Sequence, residues 1–242
     1  MKDGKKCAAI VLAAGSGKRM GGDVPKQFMT ICGKPLLYYA LKTFQESFID
    51  EIVIVTKAEN EEYVRREIVE RFSFGKVMKI AEGGRERYHS VALGLEALND
   101  DCDIVFIHDG ARPFVTKEVL DEAFNGVMSH HVAIASVPSK DTVKIADSDG
   151  FVTDTPNRNS VYIMQTPQTF EFEEIRDCYR KLIERETEIL RSGITITDDA
   201  MVMEQFGERK VFLSRGDYRN IKVTTPEDLK IAKLYVEDLG LC

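Results

Sequence analysis

Cations and glycines collect where apolar runs end in this sequence, first in "AAIVLAAGSGKRMGGDVPKQF", Ala8 to Phe28. The apolar run reaches Ala13-Ala14, turns through Gly15-Ser16-Gly17 and meets Lys18 and Arg19 at once. A tight glycine turn turns backbone N–H groups toward one point, which makes a concave anion site. Arg19 and Lys26 add charge for further phosphate oxygens, arginine as a fork and lysine as a point charge. The stretch is not a P-loop, because Arg19 follows Gly17-Lys18 where serine or threonine is required and Leu12 stands where the first glycine belongs. It is not the dinucleotide fingerprint either, since Met20 replaces the third glycine. The structural alternative is a glycine turn beside solvated cations.

The same logic recurs further along. "HDGARP" ends an apolar run on Asp109, with Arg112 just after it. Open α/β sheets bind ligands at the carboxyl edge of their strands. A carboxylate there suits a Mg²⁺ shared with phosphates, and Arg112 suits a second anion; capping a helix near Pro113 is the alternative. "EGGRERYHSVALGL" closes a strand at Gly83-Gly84 and opens a helix at Ser90, with Gly94 placed for close packing. Lys222, in the apolar "RNIKVTTPED", needs a counter-charge or an anion unless it lies on an exposed edge. Asp198-Asp199 either begin a helix or hold Lys222 in position.

The elements that must carry these residues alternate. Apolar runs at Ala8–Ala14, "IDEIVIVTK", "KVMKIAEGG", "CDIVFIHD" and "VAIASVP" read as strands, the continuous ones covered on both faces. "KPLLYYALKTFQES", "ENEEYVRREIVERF", "RYHSVALGLEAL" and "TKEVLDEAFNGVMSHH" between them have helical spacing. The expected fold is α/β, a Rossmann-like, mostly parallel twisted sheet flanked by helices, in one domain spanning residues 1–242. From 138 to 166 the pattern becomes a protruding β-arm, with a hairpin around Asp147-Ser148-Asp149-Gly150 and a strand in "SVYIMQTPQTF". An arm without a core of its own calls for a partner, so a homodimer is expected. Helices return in "EFEEIRDCYRKLIERETEIL" and "DDAMVMEQF", and a last helix opens at Thr225-Pro226, threonine as N-cap and proline in the first turn.

With 43% hydrophobic and 30% charged residues, the 242-residue chain can build an ordinary core. A net charge of −7 argues against a broad nucleic-acid or anionic-membrane surface, so any anion site is a local basic pocket. The 5 cysteines are scattered without a CxxC pair, which reads as reduced thiols rather than a disulfide frame or zinc site. The short charged start and the brief apolar run after it resemble neither a secretory leader nor a membrane span, and the expected location is cytoplasmic.

Taken together, "AAGSGKRMGGDVPKQF", "GGRERYHSVALGL", "HDGARPF", "KDTVK", "TPQTF", "TDDA" and "NIKVTTPEDL" resemble, in order, the motif series of the 2-C-methyl-D-erythritol 4-phosphate cytidylyltransferases. The resemblance implies transfer of CMP from CTP to a polyol phosphate with release of pyrophosphate, in the non-mevalonate route to isoprenoid precursors. It implies that Gly15, Ser16, Gly17 and Lys18 wrap the CTP phosphates, and that Arg19 and Lys26 stabilise the pentavalent α-phosphate. It further implies that Ala13, Ala14, Gly84, Arg85 and Ser90 hold the cytidine, and that Asp109 and Arg112 meet the polyol and the metal. Thr142, Arg158 and Thr166 match arm positions that reach the substrate phosphate across a dimer interface, and Lys222 places the attacking phosphate. Gly110 stands where the family commonly has alanine, and Arg85 where it is often acidic. A phosphate monoester is already anionic at neutral pH, so no side-chain nucleophile or strong base is needed. Positioning and electrostatics from Mg²⁺, arginine and lysine suffice. The alternatives are a ribitol-5-phosphate cytidylyltransferase and, in a different class, a non-catalytic nucleotide-binding regulator. A NAD-dependent oxidoreductase fails on the glycine spacing, and no residue cluster supports a metal hydrolase.

Overall fold

In the computed structural model, residues 1–15 and 24–242 are described. The first apolar run forms β1 (Cys7–Leu12), followed by a 3-10 turn at Lys26–Phe28, a small hairpin of β2 (Thr30–Ile31) and β3 (Lys34–Pro35), and α1 (Leu36–Gln45). Next come β4 (Glu51–Thr56), α2 (Glu61–Tyr63) widening into π-helical turns over Val64–Glu70, β5 (Val77–Glu82), α3 (Arg87–Glu96) and β6 (Ile104–Asp109). The chain continues through α4 (Lys117–His130), β7 (Val132–Pro138), β8 (Ile145–Ala146), β9 (Val152–Asp154) and β10 (Tyr162–Glu171). It ends with α5 (Phe172–Glu184), α6 (Glu186–Ser192), α7 (Asp199–Phe206), β11 (Phe212–Arg215) and α8 (Pro226–Asp238).

The main sheet has strand order β11-β7-β10-β6-β1-β4-β5. Its pairings are parallel except where β10 runs against β6 and β7. Alternate residues of β1 serve opposite faces, as the pleat requires. Cys7, Ala9 and Val11 pack toward α1 and α4, while Ala8 and Ile10 pack toward α3 and α5. Both faces are therefore covered, which explains the unbroken apolar run. Gly94 permits the close seat of α3, for a Cβ there would lie 2.7 Å from Ile10 Cγ2. On α5, Phe172, Ile175, Cys178, Tyr179 and Leu182 form the buried stripe, each large apolar side chain worth about 1.5–3 kcal/mol. That stripe carries Tyr179, whose hydroxyl donates to Asp199 at the start of α7.

Of the stretch 138–166 expected as an arm, only β8 and β9 form a separate two-stranded sheet; Pro138 ends β7, and Tyr162–Thr166 lie in β10 of the main sheet, with Gln165 and Thr166 buried. Asp147 Oδ1 accepts from the Asp149 and Phe151 amides, Gly150 adopts φ 88°, and β8 and β9 pair antiparallel. Ile145, Phe151, Val152 and Ile163 on or beside the arm are exposed, Phe151 by 73%.

Four further sequence expectations need correction. The run expected as one helix through "EFEEIRDCYRKLIERETEIL" is two, α5 and α6, divided at Arg185. α3 opens at Arg87, where the "RYHSVALGLEAL" run begins, so Ser90 lies inside the helix rather than at its opening; Glu86 is the N-cap and its amide donates to His89 Nδ1. Lys222 lies in an irregular connection before α8, not in a strand, whereas the edge strand β11 is not among the strands read from the sequence. The thiols were expected reduced, yet Cys32 and Cys242 form a disulfide across a sequence separation of 210. Helix α8 packs Ala232 and Val236 with Ile31, Leu36 and Tyr39, and Lys34 Nζ donates to the carbonyls of Leu241 and Cys242. That packing brings the two cysteines together, which no spacing rule could show. Cys7, Cys102 and Cys178 are free and buried. Thr225 caps α8 as expected, accepting from the Asp228 amide while Asp228 accepts from that of Thr225.

Candidate active site

The carboxyl ends of β1, β4 and β6 open onto a cavity of about 520 Å³. β1 continues past its last pair because the Ala13 amide donates to the Val55 carbonyl at 2.6 Å. The loop after β5 is drawn to the same strand end, the Gly83 amide donating to the Thr56 carbonyl at 2.7 Å. Gln27, 2% exposed on the 3-10 turn, donates from Nε2 to the carbonyls of Ala13 and Gly15. Gln27 thus ties the 3-10 turn to the strand end where the glycine loop begins, a role that sequence reasoning missed. Ala14, Gly15 and Lys26 face the cavity from this side, and Ala13 is buried behind them. Ser16, Gly17, Lys18 and Arg19 lie outside the described residues.

The opposite wall is backbone. The Gly84 amide donates to Ser90 Oγ at 3.1 Å, and Ser90 in turn donates to the Glu86 carbonyl. A Cβ on Gly83 would lie 2.6 Å from Ala14 Cβ, and one on Gly84 would lie 2.3 Å from His89 Cβ. Glycine is needed here for close approach, because neither neighbour can swing away. Gly84, Arg85 and Ser90 all line the cavity. The Arg85 side chain is 72% exposed and reaches Glu186 at 3.4 Å, so it sits on the rim rather than in the wall.

The floor is electrostatic. Asp109, at the last position of β6, receives Lys222 Nζ at 2.7 Å, Arg87 Nε at 3.5 Å and Arg112 Nε at 3.9 Å. Burial alone would push its carboxyl up, but Arg87, Lys222 and Arg112 outweigh it and hold the group well below the usual carboxylate range. Asp109 is not a helix cap: α4 starts at Lys117 and is capped by Thr116 Oγ1. Asp198 and Asp199 do not hold Lys222. Asp198 caps α7, and Asp199 takes Arg87 in a two-pronged pair with both distances 2.7 Å.

Behind Asp109 the hydrogen bonds run in one direction. The Asp109 amide donates to Thr166 Oγ1, Thr166 Oγ1 donates to His108 Nδ1, and His108 Nε2 donates to the Arg112 carbonyl. This ordering follows because the carbonyl can only accept, which fixes the neutral imidazole tautomer. Burial lowers the His108 pKa to about 4. Thr166 is therefore engaged with backbone in this chain, 4% exposed. Arg112 donates to the carbonyls of Asn220 and Met164, tying the Lys222 segment to β10. Thr142 and Arg158 are exposed on the arm, and neither lines the cavity of the same chain. So the chain gathers Ala14, Gly15, Lys26, Gly84, Arg85, Ser90, Asp109 and Lys222, and adds Arg87 and Gln27 unasked.

The model of the 2-C-methyl-D-erythritol 4-phosphate cytidylyltransferase family matches residues 7–238. Relatives of that name from Caldanaerobacter subterraneus and Clostridium perfringens are 45% and 46% identical, over 95% and 96% of this chain and 98% and 99% of theirs. Among solved structures, the 4-diphosphocytidyl-2C-methyl-D-erythritol synthase of Anaerococcus prevotii matches with a TM-score of 0.83 and 36% identity over 97% of each chain. The 2-C-methyl-D-erythritol 4-phosphate cytidylyltransferase of Thermus thermophilus matches with a TM-score of 0.72 and 25% identity, over 94% of this chain and 98% of that one.

Proposed function

The chain belongs to the 2-C-methyl-D-erythritol 4-phosphate cytidylyltransferase family, and from that premise we propose how its cavity transfers CMP from CTP to 2-C-methyl-D-erythritol 4-phosphate. One observation carries the reading: a glycine-backed wall and a carboxylate ringed by cations face each other across one cavity at the carboxyl edge of the sheet. The backbone around Gly84 and Ser90 holds the cytidine, and Gly15 with the residues up to Arg19 takes the triphosphate. Lys26 at the mouth faces the α-phosphate. Lys222, 40% exposed, is free to exchange its carboxylate partner for the phosphate of the acceptor.

The reaction needs no protein nucleophile. An oxygen of the acceptor's monoester attacks the α-phosphorus, the bond from that phosphorus to the β-bridging oxygen breaks, and pyrophosphate leaves with the electron pair. Charge accumulates around the α-phosphorus, and placed cations lower that barrier, each by an amount on the order of 3 kcal/mol. Among the described residues no group of three or more His, Cys, Asp or Glu could hold a metal. Asp109 Oδ1, met by Arg87 only at 3.5 Å, leaves one carboxylate oxygen that would suit magnesium, an ion commonly bound by one or two carboxylates together with substrate phosphates and water. Asp109 is the residue that would hold it, and the ion would neutralise phosphate charge.

The site is completed by a second copy. The exposed apolar side chains of the arm suit burial against another arm, and Thr142 and Arg158 then serve the neighbouring cavity. Among the described residues no helix is long and apolar enough to cross a membrane, and a reaction that consumes CTP belongs in the cytoplasm.

The test is pyrophosphate release with Mg²⁺ and CTP, comparing 2-C-methyl-D-erythritol 4-phosphate and ribitol 5-phosphate in parallel. Release with the branched four-carbon acceptor alone is expected. Release with ribitol 5-phosphate alone would move the chemistry to another acceptor, and no release with either would leave a nucleotide-binding regulator.

A further inference from the structure

Asp199 has no place in the cavity, yet it makes the best-formed ion pair in its neighbourhood. It is fully buried at the first position of α7, and it accepts Arg87 Nη1 and Nη2 on its two oxygens at 2.7 Å each. The Tyr179 hydroxyl donates to the same Asp199 Oδ1. Burial raises the Tyr179 pKa well above its ordinary value, and the neighbouring Asp199 raises it further, so the hydroxyl stays a donor. The guanidinium is planar, so fixing its two terminal nitrogens fixes where Nε points. Nε points at Asp109 Oδ1, 3.5 Å away.

The anchor itself is held on two sides. Asp198 Oδ1 accepts from the Met201 amide, Gln168 Nε2 donates to Asp198 Oδ2, and Gln168 Oε1 accepts from the Ala200 amide. Gln168 belongs to β10, whose neighbour β6 carries Asp109, and the pair is in register at Gln168 and Ile107. The start of α7 is thus locked to β10, the strand beside the one that carries Asp109.

We propose that Asp199, supported by Tyr179, is a positioning residue for the transfer: it restrains Arg87 so that Asp109 keeps one oxygen lightly held and available to substrate. The inference rests on the reading of the cavity given above. Without the Asp199 charge, Arg87 would close on the remaining anion and take Asp109 out of reach. The nucleotide wall at Gly84 and Ser90 would be unchanged.

The experiment is a steady-state comparison of the full-length wild type with Asp199→Asn, Tyr179→Phe, Arg87→Met and the double variant Asp199→Asn/Arg87→Met, following pyrophosphate release. Losing an outer partner of a site residue typically costs about 10–100-fold in activity. The expected result is a fall in kcat of at least about tenfold for Asp199→Asn, with the KM for CTP within about threefold of wild type. A smaller fall of the same kind is expected for Tyr179→Phe, which removes one hydroxyl and leaves the core filled. In the Arg87→Met background, Asp199→Asn should cost nothing further. Wild-type kcat in both Asp199→Asn and Tyr179→Phe would overturn the inference, as would losses that multiply in the double variant. Should Asp199→Asn fail to fold, Tyr179→Phe with and without Arg87→Met decides alone. A wild type that releases no pyrophosphate overturns the reading of the cavity and this inference with it, whereas an active wild type beside unaffected variants overturns only the inference.

Discussion

Replacing Asp109 by asparagine removes one anion from among three cations and changes almost no volume. Lys222 Nζ is 2.7 Å from the carboxylate, an attraction of about 6 kcal/mol at an effective dielectric near 20, before desolvation is counted. Asp109 is 11% exposed and Lys222 is 40% exposed, so water screens the lysine end and much of that attraction cancels against the cost of burial. Arg87 keeps Asp199 in the variant, but Arg112, 12% exposed, loses its nearest anion. The net loss is then about 2–3 kcal/mol, which for a chain of this size lowers Tm by roughly 5–10 °C. A carboxyl held below its ordinary range contributes stability that is present above the unfolded pKa and lost as pH falls through the folded one. The gap between wild type and Asp109→Asn should therefore be constant from pH 8 to about 4 and shrink only in stronger acid. Turnover should fall by about 10²–10³, while CTP affinity holds or tightens because the cations remain. Thermal unfolding across pH together with pyrophosphate release checks both parts. A variant that keeps kcat within threefold of wild type, or whose Tm is unchanged at pH 7, would refute the assignment of Asp109 as the centre of the site.

Gly84→Ala puts a Cβ 2.3 Å from His89 Cβ, so the loop must lift from α3; the KM for CTP should rise about tenfold and stability fall by about 1–3 kcal/mol, and an unchanged KM would contradict the backbone wall. His108, buried and neutral with its pKa lowered to about 4, binds a proton in the unfolded chain before the folded one. Stability should therefore drop by about 3 kcal/mol between pH 7 and 4, and urea titrations should show this acid slope reduced in His108→Gln. Lys26→Ala should lower kcat far more than CTP affinity. Mixed with Arg158→Ala, it should recover roughly a quarter of wild-type activity by subunit exchange in a two-fold dimer, and confirmed exchange without recovery would mean that the arm does not act across subunits.

The strands were legible because a sheet covered on both faces leaves uninterrupted apolar runs, and β1 and β6 show where such runs stop. Their last residues lie at the carboxyl edge by topology alone, which is why Gly15 and Asp109 could be assigned to one site from spacing. The hairpin of β8 and β9 was legible through Asp147 and Gly150, whose turn chemistry is local. Arg87 was not. It reads as one more cation in a polar stretch, and its partner Asp199 is 112 residues away. Gln27 reads as an ordinary polar residue until its side chain is seen holding the carbonyls of Ala13 and Gly15. Thr166 and Arg112 were assigned to substrate by resemblance, and in this chain their polar atoms hold the backbone around Asp109. The disulfide between Cys32 and Cys242 depends on where α8 docks, a tertiary fact without any local signal.

The most direct test of the central claim is a ³¹P NMR spectrum of the protein with CTP, Mg²⁺ and 2-C-methyl-D-erythritol 4-phosphate. The expected result is loss of the acceptor's monoester resonance, a pair of coupled diphosphate resonances from the new linkage, and one equivalent of pyrophosphate. Pyrophosphate appearing with free CMP, while the monoester resonance persists, would contradict transfer to the acceptor and leave hydrolysis in its place.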